Sequence, residues 1–85
     1  MAGRPLHLLP NLGPRTASRL AEVGISSEDD LRALGAVQAY RRLRHAFPRE
    51  VSLNALWALH ACLQGIPWTA LDAGTKARLR AEAGG

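Results

Sequence analysis

Arginine is the residue type through which this 85-residue chain can do the most chemistry. Ten of its eleven basic side chains are arginine and one, Lys76, is lysine; with seven acids the formal charge is +4. A guanidinium is planar and donates two parallel hydrogen bonds, a geometry that suits phosphate. The charge is also segregated. Arg4, Arg15 and Arg19 fall within the first 21 residues with no acid among them, and Arg41, Arg42, Arg44 and Arg49 fall between residues 39 and 50 against Glu50 alone. Between the two stretches, Glu22, Glu28, Asp29 and Asp30 outweigh Arg32. A GC-rich coding sequence produces an arginine and alanine excess on its own, so the total says less than the distribution. Two basic stretches parted by an acidic one point to a polyanionic partner.

Other chemistries find little support. Cys62 is a lone cysteine and cannot close an internal disulfide, and with three scattered histidines it matches no zinc spacing. The pattern predicts a reducing compartment, the cytoplasm, with no structural metal and no cofactor. His60 and Cys62 stand two apart on a helical pattern and point in different directions, a poor ligand pair. Cys62 reads as a small buried hydrophobe and His60 as a surface or satisfied core histidine. No paired-carboxylate, Ser-His-Asp or Cys-His arrangement has supporting spacing, so no enzymatic activity is expected. The apolar run after Pro5 is too short for a signal peptide. The stretch from Val51 to Leu71 is interrupted by Asn54, His60, Gln64 and Pro67, which argues against a membrane span.

The elements that must position these arginines are helical. Hydrophobic residues make up 47% of the chain, but fifteen of them are alanine and most of the rest are leucine, while valine, isoleucine and threonine together number eight. That composition favours helix over sheet, and the length allows one domain, residues 1–85, with a single modest core and with residues 1–4 and 83–85 frayed. The fold class is therefore all-α, a small bundle of about five short helices. Gly13-Pro14 starts the first and Gly24 stops it after Val23. Ser27, with Asp30 three residues on, starts a second that Gly35 closes; its acids fall in the first turn, where the helix dipole favours them. The third runs from Ala36 to Phe47, with Val37, Tyr40, Leu43 and Phe47 on its apolar stripe and Arg41, Arg44, Gln38 and His45 away from it, and Pro48 ends it. The fourth, from Ser52 to Gly65, is apolar nearly all round and is the expected core helix. After a crossover at Ile66-Pro67-Trp68, Asp72 caps a fifth that carries Lys76, Leu79 and Arg80. "LAEVGISSEDDL" and "CLQGIPWTALDAGTKARL" share an order of helix, Gly-Ile, linker, capping residue and helix, a faint internal echo.

The first helix begins without a side-chain cap. A tight turn leaves several N–H groups at such a start unpartnered, and together with the helix dipole they form an anion site that a phosphate can approach closely where residue 13 is glycine. Leu12, turned inward, would hold the turn rigid. Arg15 and Arg19 lie one turn apart on one face, set to contact neighbouring phosphates. Asn11, Leu12, Gly13, Arg15, Thr16 and Arg19 form the expected contact set for double-stranded DNA, with Arg41, Arg42 and Arg44 as auxiliary contacts. Such contacts carry no base information, so binding would be indifferent to sequence and sensitive to salt. The alternative is a protein-interaction module on the same scaffold, which docks a transcription protein or a second copy. The two part on whether the basic stretches meet on one surface.

The string Leu9-Pro10-Asn11-Leu12-Gly13-Pro14-Arg15-Thr16-Ala17, with Leu20 and Gly24-Ile25, is similar to a helix-hairpin-helix element. Asn11 stands where such hairpins have their first glycine; it tolerates left-handed backbone, but its side chain could obstruct a phosphate. More broadly, "NLGPRTASRLAEVGI", "EDDLRALGAVQAYRRLR", "VSLNALWALHACLQGI" and the Trp68, Ala70, Leu71 pattern together resemble the C-terminal domain of the TfoX/Sxy competence-regulator family over about residues 5 to 82. The resemblance implies a small helical domain in proteins that promote DNA-uptake gene expression, acting with a cyclic-AMP-dependent transcription activator. Full-type members carry a further N-terminal domain, so a chain beginning at Met1 is expected to be a stand-alone version or a fragment.

Overall fold

The computed structural model describes Leu6 and residues 12–84. Among these residues the chain forms five α-helices: α1 (Pro14–Glu22), α2 (Glu28–Leu34), α3 (Ala36–Ala46), α4 (Leu53–Gln64) and α5 (Ala73–Glu82), with a 3-10 turn, Trp68–Ala70, between the last two. The all-α reading and its helix order hold.

Local punctuation sets the helix ends. Gly13 is the N-cap of α1, with Pro14 in the first helical position, where the missing N–H costs nothing. Gly24 then takes a φ of 87°, and the Ile25 amide donates back to the Leu20 carbonyl at 2.9 Å. The fourth helix ends by the same device: Gly65 has a φ of 72° and the Ile66 amide donates to the Ala61 carbonyl at 3.1 Å. In both, a left-handed glycine lets the chain fold back and satisfy an orphan carbonyl. A capped helix follows each time, since the Ser27 hydroxyl accepts from the Asp30 amide and the Asp72 carboxylate from the Thr75 amide at 2.7 Å. The echo in the sequence is a repeated way of turning between helices.

Three of the four acids between the basic stretches, Glu28, Asp29 and Asp30, sit in the first turn of α2, while Glu22 ends α1. The Asp30 carboxylate accepts from the Ser26 amide at 3.1 Å and the Ser26 hydroxyl at 3.2 Å, and Glu28 pairs with Arg32 at 3.0 Å, one turn away. The Ser26 bonds hold the Asp30 carboxyl below the usual carboxylate range.

One core runs through the bundle. Leu20, Ile25, Leu31, Leu43, Leu56 and Leu59 are completely enclosed, and Leu79 of α5 joins them. The fourth helix buries Leu56, Trp57, Leu59, Ala61 and Cys62 and packs on α3, α5 and the 3-10 turn; α3 in turn packs on α1 and α2. The chain leaves α3 before Pro48, and Arg44 spans that corner by donating from Nη1 to the Val51 carbonyl at 2.6 Å. No helix among the described residues is long and apolar enough to cross a membrane.

Candidate nucleic-acid interface

Leu12 is buried, as expected, and anchors the approach to α1. Leu9, Pro10 and Asn11, the first half of the expected hairpin, lie outside the described residues. Gly13 is exposed, with extended backbone at φ −86° and ψ 172°, and a Cβ placed on it would meet nothing within 4 Å. Neither backbone strain nor packing requires glycine there, and the space beside it is open. No side chain caps α1. Its fourth residue, Ala17, donates to the Gly13 carbonyl, whereas the Arg15 and Thr16 amides have no partner among the described residues. Among the described residues, two donors at the positive end of a nine-residue helix are thus left without an acceptor.

The arginines fall into two groups. Arg15 is exposed and makes no ion pair among the described residues. Arg19, one turn on and half-buried, lays its guanidinium over the Phe47 ring at 5.6 Å from the centroid. From α3, Arg42 Nη1 donates to the Val23 carbonyl at 3.2 Å, at the end of α1. Arg19 with Phe47 and Val23 with Arg42 show that α1 and α3 run antiparallel, so these arginines share one seam. Arg41 and His45 border the same seam, lining a shallow groove with Val23 and Gln38. Arg44 belongs elsewhere: its bond to Val51 sets it at the junction of α3 and α4.

That junction holds a cleft in which Tyr40, Arg44, Ser52 and Asn54 converge. In the sequence, Tyr40 is one member of a core stripe and Ser52 one helix start, and only packing brings them together. Cys62 is buried and His60 half-buried. Burial, reinforced by Arg78 and opposed by Glu82, pulls the His60 imidazole below the ordinary histidine range. Among the described residues no group of three or more His, Cys, Asp or Glu side chains could hold a metal ion.

Comparison with known proteins gives consistent results. The family model of the TfoX C-terminal domain matches residues 3–83. The DNA transformation protein TfoX1 of Aliivibrio fischeri is 26% identical over 76 residues, which cover 89% of this chain and 36% of that protein; the chain thus spans little more than a third of this relative. Two crystal forms of Listeria monocytogenes proteins of unknown function superpose closely. The triclinic form has a TM-score of 0.83 at 32% identity, covering 89% of this chain and 85% of that one. The tetragonal form has a TM-score of 0.83 at 31% identity, covering 91% and 94% respectively.

Proposed function

The chain belongs to the TfoX C-terminal domain family, and from that premise we propose that it is a non-catalytic regulatory domain in the control of DNA transformation that holds duplex DNA by its phosphate backbone. The uncapped amides of Arg15 and Thr16 take one phosphate at the start of α1, with Gly13 leaving room for its approach and the buried Leu12 anchoring the turn. Arg15 and Arg19 contact neighbouring phosphates, and Arg41 and Arg42 continue the basic track along α3. The observation that carries this reading is the shared seam: Arg19 lies on Phe47 at the end of α3 while Arg42 reaches Val23 at the end of α1. Two basic stretches more than twenty residues apart in sequence therefore border one surface, as a backbone-tracking contact needs. The domain would act in the cytoplasm, where the chromosome lies.

Contacts confined to phosphate give weak binding, on the order of 10⁻⁴ to 10⁻⁶ M at physiological salt, with no preference among duplexes. Fluorescence anisotropy with two labelled duplexes of unrelated sequence, each at a low and a moderate salt concentration, tests this. Equal affinities that fall together with salt support the reading; no binding at low salt rejects it.

A second reading is favoured by Trp68, a large apolar side chain that remains 41% exposed on the 3-10 turn, with Lys76 5.9 Å from its ring centroid. An exposed aromatic beside a cation is a common anchor in protein interfaces. On this reading the domain docks a cyclic-AMP-dependent transcription activator or a second copy of itself, and Trp68→Ala abolishes that association without touching DNA affinity.

A further inference from the structure

The cleft between α3, the start of α4 and the end of α5 has a volume of about 590 Å³, within the range of small-ligand sites. Its lining among the described residues is rich in donors and has no carboxylate side chain: Tyr40, Arg44, Ser52, Leu53 and Asn54, with Ala83 and Gly84 closing the far side. The twelve-residue α4 begins here without a side-chain cap. Ala55 donates back to the Ser52 carbonyl at 3.0 Å, while the Leu53 and Asn54 amides and the Ser52 hydroxyl have no partner among the described residues.

Tyr40 supplies an independent indication. Only 7% of it is exposed, yet its hydroxyl makes no hydrogen bond among the described residues. No fully enclosed side-chain polar atom among them lacks a partner, so the phenol oxygen is accessible, and Tyr40 lines both this cleft and the adjoining groove. A buried tyrosine ordinarily spends its hydroxyl on a partner, and phenylalanine would fill the core position equally well. Arg44 is held at the rim by its Nη1 bond to Val51, which leaves Nη2 and Nε without a partner among the described residues.

We propose that this cleft binds a phosphate group, gripped by the Tyr40 and Ser52 hydroxyls, the Leu53 and Asn54 amides and the Arg44 guanidinium. Helix dipole, backbone donors and a planar cation border one cleft, which is the chemistry of a phosphate cradle. Two sources fit: a small phosphate ester, or a strand phosphate of DNA that reaches the cleft past Arg41 and His45, which share the adjoining groove with Tyr40 and Arg44. The site stands whether or not α1 contacts DNA, because its donors belong to a different helix start.

Nuclear magnetic resonance of the ¹⁵N-labelled chain tests it, with inorganic phosphate, a mononucleotide and a short duplex added in turn at fixed ionic strength. The Leu53 and Asn54 amides should shift saturably, and Tyr40→Phe and Ser52→Ala should each weaken phosphate binding about tenfold while leaving the rest of the spectrum in place. Shifts with phosphate and mononucleotide alone identify a small ester, and shifts with duplex that phosphate competes away identify DNA; either supports the site. The proposal is overturned if none of the three probes shifts these amides saturably, or if both variants bind phosphate as tightly as the wild type. Failure of the DNA reading shows separately, as silent Arg15 and Thr16 amides in the duplex titration.

Discussion

Gly13 is where binding and folding can be told apart. Its backbone is extended and its surroundings empty, so Gly13→Ala costs the fold only the difference between the two residues at an N-cap, about 1 kcal/mol or less. The added methyl stands at the entrance to the Arg15 and Thr16 amides. Duplex affinity should therefore fall several-fold in anisotropy while the melting temperature moves by only a few degrees; unchanged affinity would remove the backbone amides from the contact. Arg19 is a less clean probe, because truncating it also removes its stacking on Phe47, worth about 0.5–1 kcal/mol. His60 sets a pH dependence. Its imidazole is held below the usual range chiefly by burial, so as pH falls below about 6.5 the unfolded chain takes up the proton first. Stability from this group is full above that pH and declines toward the lower folded value. Asp30 and Asp72, lowered mainly by the Ser26 and Thr75 amides, give stability that is present above about pH 4 and lost in stronger acid. Thermal melts should show a loss between pH 7 and 5 that His60→Gln diminishes; an identical loss in that variant would assign it to other groups.

Among the elements, α4 bears most of the core. Leu59 is completely enclosed, and Leu59→Ala should destabilise the fold by about 3 kcal/mol in denaturant melts. A change under about 1 kcal/mol would mean that α4 is not central. Removing the Ser27 cap of α2 should cost about 1 kcal/mol by the same measurement. The helix ends were legible in the sequence because they are set locally: Gly13-Pro14, Ser27, Gly35, Pro48 and Asp72 act on their own neighbours. The tertiary uses of the side chains were not. Nothing near Arg44 or Arg42 in sequence signals that they donate to the Val51 and Val23 carbonyls, since those bonds depend on how α3 meets α4 and α1. Tyr40 carries the right spacing for a core stripe, and only packing sets it in one cleft with the start of α4 and the end of α5. Trp68 reads as a crossover residue, and its exposure follows from the 3-10 turn that carries it.

At the scale of the whole molecule, folding gathers the charge that the sequence only segregates. Glu28, Asp29 and Asp30 are taken up in the first turn of α2, and Arg19, Arg41 and Arg42 are left along one seam. Arg41 is exposed on that seam and makes no hydrogen bond among the described residues, so Arg41→Ala should lower duplex affinity without loss of stability; unaltered affinity would confine the contact to α1. Because each phosphate neutralised releases condensed counterions, the number of contacts can be read from the slope of log affinity against log salt. The most direct test is that slope for the wild type and for the double variant Arg15→Ala, Arg19→Ala, measured on the same duplex. The account predicts a slope flatter by about two units in the double variant, with all duplexes weakened alike. A slope that does not change, or a wild-type domain whose affinity does not respond to salt, would contradict it.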